Sequence, residues 1–121
     1  MKRVMREPYP LFDAHAQVRA WRRGNWLYSQ EGEPIAMISG EGIFSVSGRL
    51  IGYTNEQNLL DLKGLVIAAP NRGGGKRVLI TQPRLFAPTP AVMHRDPMRS
   101  RPVSRGSWSP ASWEDWFTYR A

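Results

Sequence analysis

The chain has no cysteine in its 121 residues. That excludes disulfide staples, a thiol nucleophile and thiolate metal ligands, and it agrees with a cytoplasmic location. Long apolar runs are missing too. The longest, Leu65 to Ala69 (LVIAA), falls far short of the about 20 residues that a membrane-spanning helix needs. The opening MKRVMREPYP has basic residues with no apolar stretch behind them, so no signal peptide is expected. Histidine is scarce. His15 and His94 share no spacing pattern, and a pair of that kind makes a poor metal site. No metal and no other cofactor is therefore expected. Acids are also in deficit, 10 Asp and Glu against 17 Lys and Arg, for a net charge of +7.

What the chain does have is repetition. Written in rows of sixteen, it places Phe12, Tyr28, Phe44 and Leu60 in one column, with Leu11, Leu27, Ile43 and Leu59 just before them. Four places on stand Ala16, Gly32, Gly48 and Gly64; seven places on, Arg19, Ile35, Ile51 and Ile67. The next column is Ala20, Ala36, Gly52 and Ala68. The spacing never slips, which marks an internal fourfold repeat. Each unit has two short apolar runs around a polar turn that ends in glycine, the pattern of a β-hairpin whose last loop residue is left-handed. Turn-rich pieces also separate the units, so about eight short strands are expected. The first unit departs twice, with Ala16 for glycine and Arg19 for isoleucine.

The small column carries the architectural argument. Strand positions that pack normally favour β-branched residues. Alanine or glycine at the same place in every unit implies strands meeting too closely for anything larger, as a fourfold axis would require. The segments LYSQEGEPIAMI, IFSVSGRLIGY and LLDLKGLVIAA resemble the 4-fold beta flower proteins, and the tail RPVSRGSWSPASWEDWF resembles the segment that follows their petals. The resemblance implies an all-β fold: four β-hairpin petals with pseudo-fourfold symmetry around a shallow central barrel, plus an extended tail and a short C-terminal helix. It implies no activity. The piece GNWLYSQEG also resembles a unit of choline-binding cell-wall repeats, in which aromatics of successive hairpins cage a quaternary ammonium. The other rows lack the matching tryptophan.

Four segments follow from composition: a basic extension at 1–9, the hairpin domain at 10–70, a basic Pro/Gly-rich tail at 71–108, and an amphipathic helix at 109–120. The hairpin domain is nearly neutral at −1, whereas residues 71–121 carry +6. Residues 78–81 suit a ninth strand, and the prolines beyond suit extended chain. In the last segment Ser109 suits the helix cap and Pro110 its first position. Trp113, Trp116 and Phe117 then share one face. That face either folds back as a plug on the petals or docks on a partner.

No enzymatic constellation emerges. GGGKR lacks the first glycine and the Ser/Thr of a phosphate-binding loop, and it suits a linker. Glu31 and Glu33 flank a turn and suit a solvated surface. Two functional classes remain. One is a non-catalytic interaction or scaffold module, whose platform or mouth would be lined by Trp21, Met37 and Tyr53, with Ala69 completing the column. Core packing is the plainer role for those four. The other is a polyanion binder, in which Arg95, Arg99, Arg101 and Arg105 with Trp108 contact nucleic-acid phosphates or an anionic membrane surface. A solvated basic tail is its plainer counterpart.

Overall fold

The computed structural model describes residues 7–70, 82–88, 96–97, 99–103 and 106–120. The ninth strand expected at 78–81 and the GGGKR segment lie outside the described residues. Eight strands form a single sheet in chain order, every neighbour antiparallel. They are β1 (Tyr9–Phe12), β2 (Val18–Arg23), β3 (Trp26–Tyr28), β4 (Pro34–Ser39), β5 (Gly42–Ser45), β6 (Leu50–Asn55), β7 (Asn58–Leu60) and β8 (Val66–Ala68). A short helix, α1 (Trp113–Arg120), follows. The sheet closes on itself. Phe12 N–H donates to the Ala69 carbonyl at 2.8 Å, and Ala69 N–H donates back to Phe12 at 2.9 Å. Closure leaves a small barrel whose inside is filled by side chains.

The repeat is visible in the hydrogen bonds. In the four hairpins, Asp13, Ser29, Ser45 and Asp61 each donate a backbone N–H across the turn, to Gln17, Glu33, Arg49 and Leu65. The fourth turn residue is left-handed every time, with φ of 61° at Ala16, 87° at Gly32, 92° at Gly48 and 86° at Gly64. The first turn is thus built like the others, and Ala16 adopts a backbone conformation that suits glycine.

The register explains the isoleucine column. Leu27 pairs with Ala36 while Tyr28 pairs with Pro34, so Ile35 is an extra residue in a β-bulge. The same shift occurs between Leu11 and Phe12, Ile43 and Phe44, and Leu59 and Leu60. Arg19, Ile51 and Ile67 are the corresponding bulge residues. The bulge lets a unit send both its isoleucine and its small residue to one core. That core joins Leu11, Leu27, Ile43 and Leu59, all fully buried, with Ala20, Ala36, Ala68, Ile51 and Ile67. Gly52, the one glycine of the small column, is closely hemmed in. A Cβ there would lie 2.2 Å from the Leu60 carbonyl oxygen and 3.2 Å from the Trp116 ring. A second cluster, with Phe44, Leu50, Tyr53, Leu60, Val66 and Ala69, has Trp108 packed against it.

The described stretches of the tail form a belt of contacts along the turn end of the barrel. Phe86 N–H donates to the carbonyl of Gly32 in the second turn, at 2.9 Å. Asp96 N–H donates to Gly48 in the third at 2.8 Å, and the Asp96 carboxylate accepts Leu50 N–H at 2.9 Å. Pro102 and Val103 then pass Gly64 in the fourth turn. Finally Val66 exchanges hydrogen bonds with Ser107 and Ser109, each 2.8 Å, in a parallel bridge beside Trp108. A proline-rich segment has few donors to offer itself, so it uses the carbonyls that the hairpin turns leave free.

Candidate interaction surface

The helix begins at Trp113, and Ser112 caps it. The Ser112 hydroxyl accepts Asp115 N–H at 3.1 Å, and its carbonyl accepts Trp116 N–H at 2.9 Å. The expected start at Ser109 and Pro110 differs by one turn. Ser109 accepts Ala111 N–H at 3.1 Å and shapes the turn before the helix. Glu114 and Asp115 occupy the first helical turn, where the positive end of the helix dipole favours acids.

Trp113 and Trp116 belong to the barrel core cluster, and Phe117 packs against it half-buried. The Trp113 and Trp116 ring centres are 5.1 Å apart, and Phe117 stacks on Trp113 at 6.0 Å with planes 5° from parallel. Trp116 Nε1 donates to the carbonyl of Ile51, a bulge residue, at 2.9 Å. The bulge frees that carbonyl, and the indole fills it. The aromatic face of the helix therefore lies on this chain's own barrel.

Arg19 stands where the other three units have isoleucine. Its Nε donates to Asp13 Oδ2 at 2.7 Å, and its Nη1 lies 2.5 Å from Glu114 Oε1 on the helix. Asp13 is buried and also accepts the N–H groups of His15 and Gln17, at 2.8 and 3.0 Å. Burial pushes the Asp13 carboxyl up. The Arg19 hydrogen bond, the two N–H donors and the guanidinium charge outweigh it and hold the group below its ordinary value of 3.8.

The same turn-entry position carries a side-chain oxygen in every hairpin. Asp61 accepts Lys63 and Leu65 N–H at 2.9 Å, Ser29 accepts Glu31 and Glu33 at 3.2 Å, and Ser45 accepts Arg49 at 3.2 Å. This column was not singled out in the sequence, although Asp/Ser at sixteen-residue spacing was there to find.

The other candidates are placed as follows. Trp21 and Tyr53 are buried, at 5% and 3% exposure, and Met37 is half-buried. Across the strands Trp21 faces Tyr28, Met37 faces Phe44 and Tyr53 faces Leu60. Arg99 is exposed, whereas Arg101 is half-buried with its Nε 3.5 Å from Glu41 Oε2. Arg95, Arg105 and His94 lie outside the described residues. Glu31 and Glu33 are exposed, and among the described residues no three His, Asp or Glu are grouped to hold a metal ion.

Exposed large apolar side chains stand at three of the hairpin turns. The exposed large apolar side chains among the described residues are Val46 at 52%, Phe86 at 46% and Val103 at 87%. Val46 sits in the third turn, Phe86 is hung from the second and Val103 runs beside the fourth. A hairpin and two stretches of belt thus bring them to the same end of the barrel. There too lies a cleft of about 340 Å³ between the fourth turn and the helix, lined by Leu62, Leu65 and Trp116 and also by the charged Asp61, Lys63 and Asp115.

The family model described as 4-fold beta flower protein matches residues 9–117. The chain belongs to that family. The match runs through all four petals of the beta flower and on to Phe117, taking in the belt and the aromatic face of the helix. No curated protein and no solved structure matches the chain. Among the described residues, no helix of this beta flower is long and apolar enough to cross a membrane.

Proposed function

We propose that this beta flower is a non-catalytic interaction module that binds a partner protein through the turn end of its barrel. The observation that supports it is that Val46, Phe86 and Val103, the large apolar side chains exposed among the described residues, all stand at or beside the hairpin turns of that end. Single exposed apolar residues are ordinary on protein surfaces, but three held at one end of a rigid frame can give a partner several anchor points. The polar groups that could have done chemistry nearby are committed to structure: Asp13, Ser29, Ser45 and Asp61 hold turns, and Arg19 holds the helix. Trp21 and Tyr53 contribute as packing beneath the surface.

The test is site-specific photo-crosslinking in cells, with the crosslinker at position 46, 86 or 103, and at Arg23 near the opposite end as control. One shared discrete protein adduct from the three turn-end sites, absent at Arg23, is the expected result. No adduct from any of the three rejects the proposal.

The net charge of +7 and the exposed Arg84 and Arg99 favour a second reading, polyanion binding by the belt. Its mark is retention on heparin or DNA that weakens steeply with salt. Retention that survives neutralising the belt arginines, or that is insensitive to salt, removes it.

A further inference from the structure

A barrel end with near-fourfold symmetry offers a helix several almost equivalent ways to lie across it. The bridge between Val66 and Ser107–Ser109 fixes where α1 starts, next to the fourth hairpin. It does not fix which way the helix then points. Three of the four bulge residues are isoleucine and present the same apolar shape. Three of the four small residues are alanine. The two exceptions are Arg19 and Gly52, and both touch the helix. Arg19 meets Glu114 at the helix start, and Gly52 makes room for the Trp116 ring. Between them, the indole reaches the Ile51 carbonyl.

We propose that Arg19 and Gly52 are positioning residues that select one heading for α1 from the quasi-equivalent headings the barrel end offers. Arg19 acts by attraction. Its guanidinium is held in place by Asp13, so it is directed before the helix arrives, and Glu114 is the one helix carboxylate it pairs with among the described residues. A seat that brought Glu114 over Ile35 or Ile67 would leave it without that partner. Gly52 acts by leaving room. An added Cβ would lie 2.2 Å from the Leu60 carbonyl oxygen and 3.2 Å from the ring, so a methyl at this place would at once disturb that backbone and crowd the indole. The heading decides which petal stays least covered, and Ile35 of the second hairpin is half-buried while Ile51 and Ile67 are buried.

The experiment follows the tryptophan indole N–H signals of the full chain by nitrogen-15 NMR, together with their hydrogen exchange. Arg19→Ile completes the isoleucine ring. It is expected to give a second pair of signals for Trp113 and Trp116 while Trp21 and Trp26 keep one each. Glu114→Gln leaves the barrel intact. It is expected to lower the protection of the Trp116 indole N–H by about two- to fivefold, the effect of losing a half-exposed ion pair, with the sheet amides unchanged. A single pair of signals in Arg19→Ile, with unchanged Trp116 protection in Glu114→Gln, overturns the proposal. So does a loss of protection shared equally by Trp116 and the sheet, which would mark general destabilisation. If Arg19→Ile does not fold, the Glu114→Gln exchange decides alone.

Discussion

Replacing Gly32 and Gly24 by alanine, one at a time, separates the backbone strain of a turn from the contact of the belt. Both glycines have positive φ, 87° and 59°. An alanine forced into that region costs about 1–2 kcal/mol, less the 0.4–1 kcal/mol or so gained by stiffening the unfolded chain. At Gly24 nothing lies within 4 Å of the new Cβ, so the net cost there is strain alone, about 1 kcal/mol. At Gly32 the Cβ would lie 1.8 Å from the Arg84 carbonyl oxygen and 2.8 Å from its carbon. Both are backbone atoms, so no side chain can turn aside, and the belt has to lift off. Lifting breaks the bond from Phe86 N–H to the Gly32 carbonyl, worth a further 0.5–1.5 kcal/mol or so. The expected total is about 1.5–2.5 kcal/mol for Gly32→Ala, about twice that of Gly24→Ala. Urea unfolding measures both. Hydrogen exchange at the Phe86 amide gives the local signature, protection lost in Gly32→Ala and kept in Gly24→Ala. Equal costs, with Phe86 still protected in both, would refute a belt seated on the second turn.

Ala16→Gly removes the strain at the one turn that lacks glycine, and it should raise stability by about 0.5–1 kcal/mol, or about 3–6 °C in Tm by calorimetry. A fall in Tm would show that the Ala16 methyl does something the turn geometry does not reveal. Trp116→Ala is expected to cost about 3–5 kcal/mol in urea unfolding, the range for a large buried aromatic. Trp116→Phe should cost about 1–3 kcal/mol, because it keeps a ring but leaves the Ile51 carbonyl without its donor. Asp13 sets an acid limit. Its folded pKa is lowered, so its contribution is fully present above the unfolded value near 3.8 and is lost as the pH falls through the folded value. Acid titration of Asp13→Asn beside the parent chain should show a smaller loss of stability below about pH 4; parallel curves would remove Asp13 from the account.

The hairpins were legible because their signal is local and periodic. Leu27 and Ala36 recur at fixed spacing since each unit repeats the same pairing, and both are found cross-strand partners in the core. The bulge was not legible. An isoleucine column beside a small column looks like ordinary alternation, and only the register shows that Ile35 is an inserted residue. The turn-entry oxygens Asp13, Ser29, Ser45 and Asp61 were missed for a different reason: serine and aspartate are common near any turn, and their role appears only when their acceptor geometry is seen. The belt left almost no trace in sequence. Its partners are backbone groups, which every residue has, and it meets them at long range, across 46 residues of chain from Asp96 to Leu50 and 54 from Phe86 to Gly32. The observed helix starts one turn after Ser109-Pro110 because the tether at Val66 holds Ser109 in the turn before it, and Ser112 serves as the cap.

The two departures of the first petal then have one cause. A single tail cannot treat four petals alike. It visits the second, third and fourth turns, each of which ends in glycine where the belt passes. It reaches the fourth hairpin at Val66 and turns inward, so the first hairpin meets the start of the helix instead. There, Asp13, Ala14, His15 and Arg19 face Ser112 and Trp113 across a cavity of about 140 Å³. At that petal no belt contact has been seen among the described residues that would demand glycine, and Ala16 stands in its place. An apolar bulge residue has less to offer the acidic first turn of a helix than a cation does, and Arg19 stands in the place of isoleucine. The fourfold barrel and its one-sided tail are therefore parts of the same design: the symmetry builds the core, and the petal that breaks it marks where the chain leaves the rim to close the end.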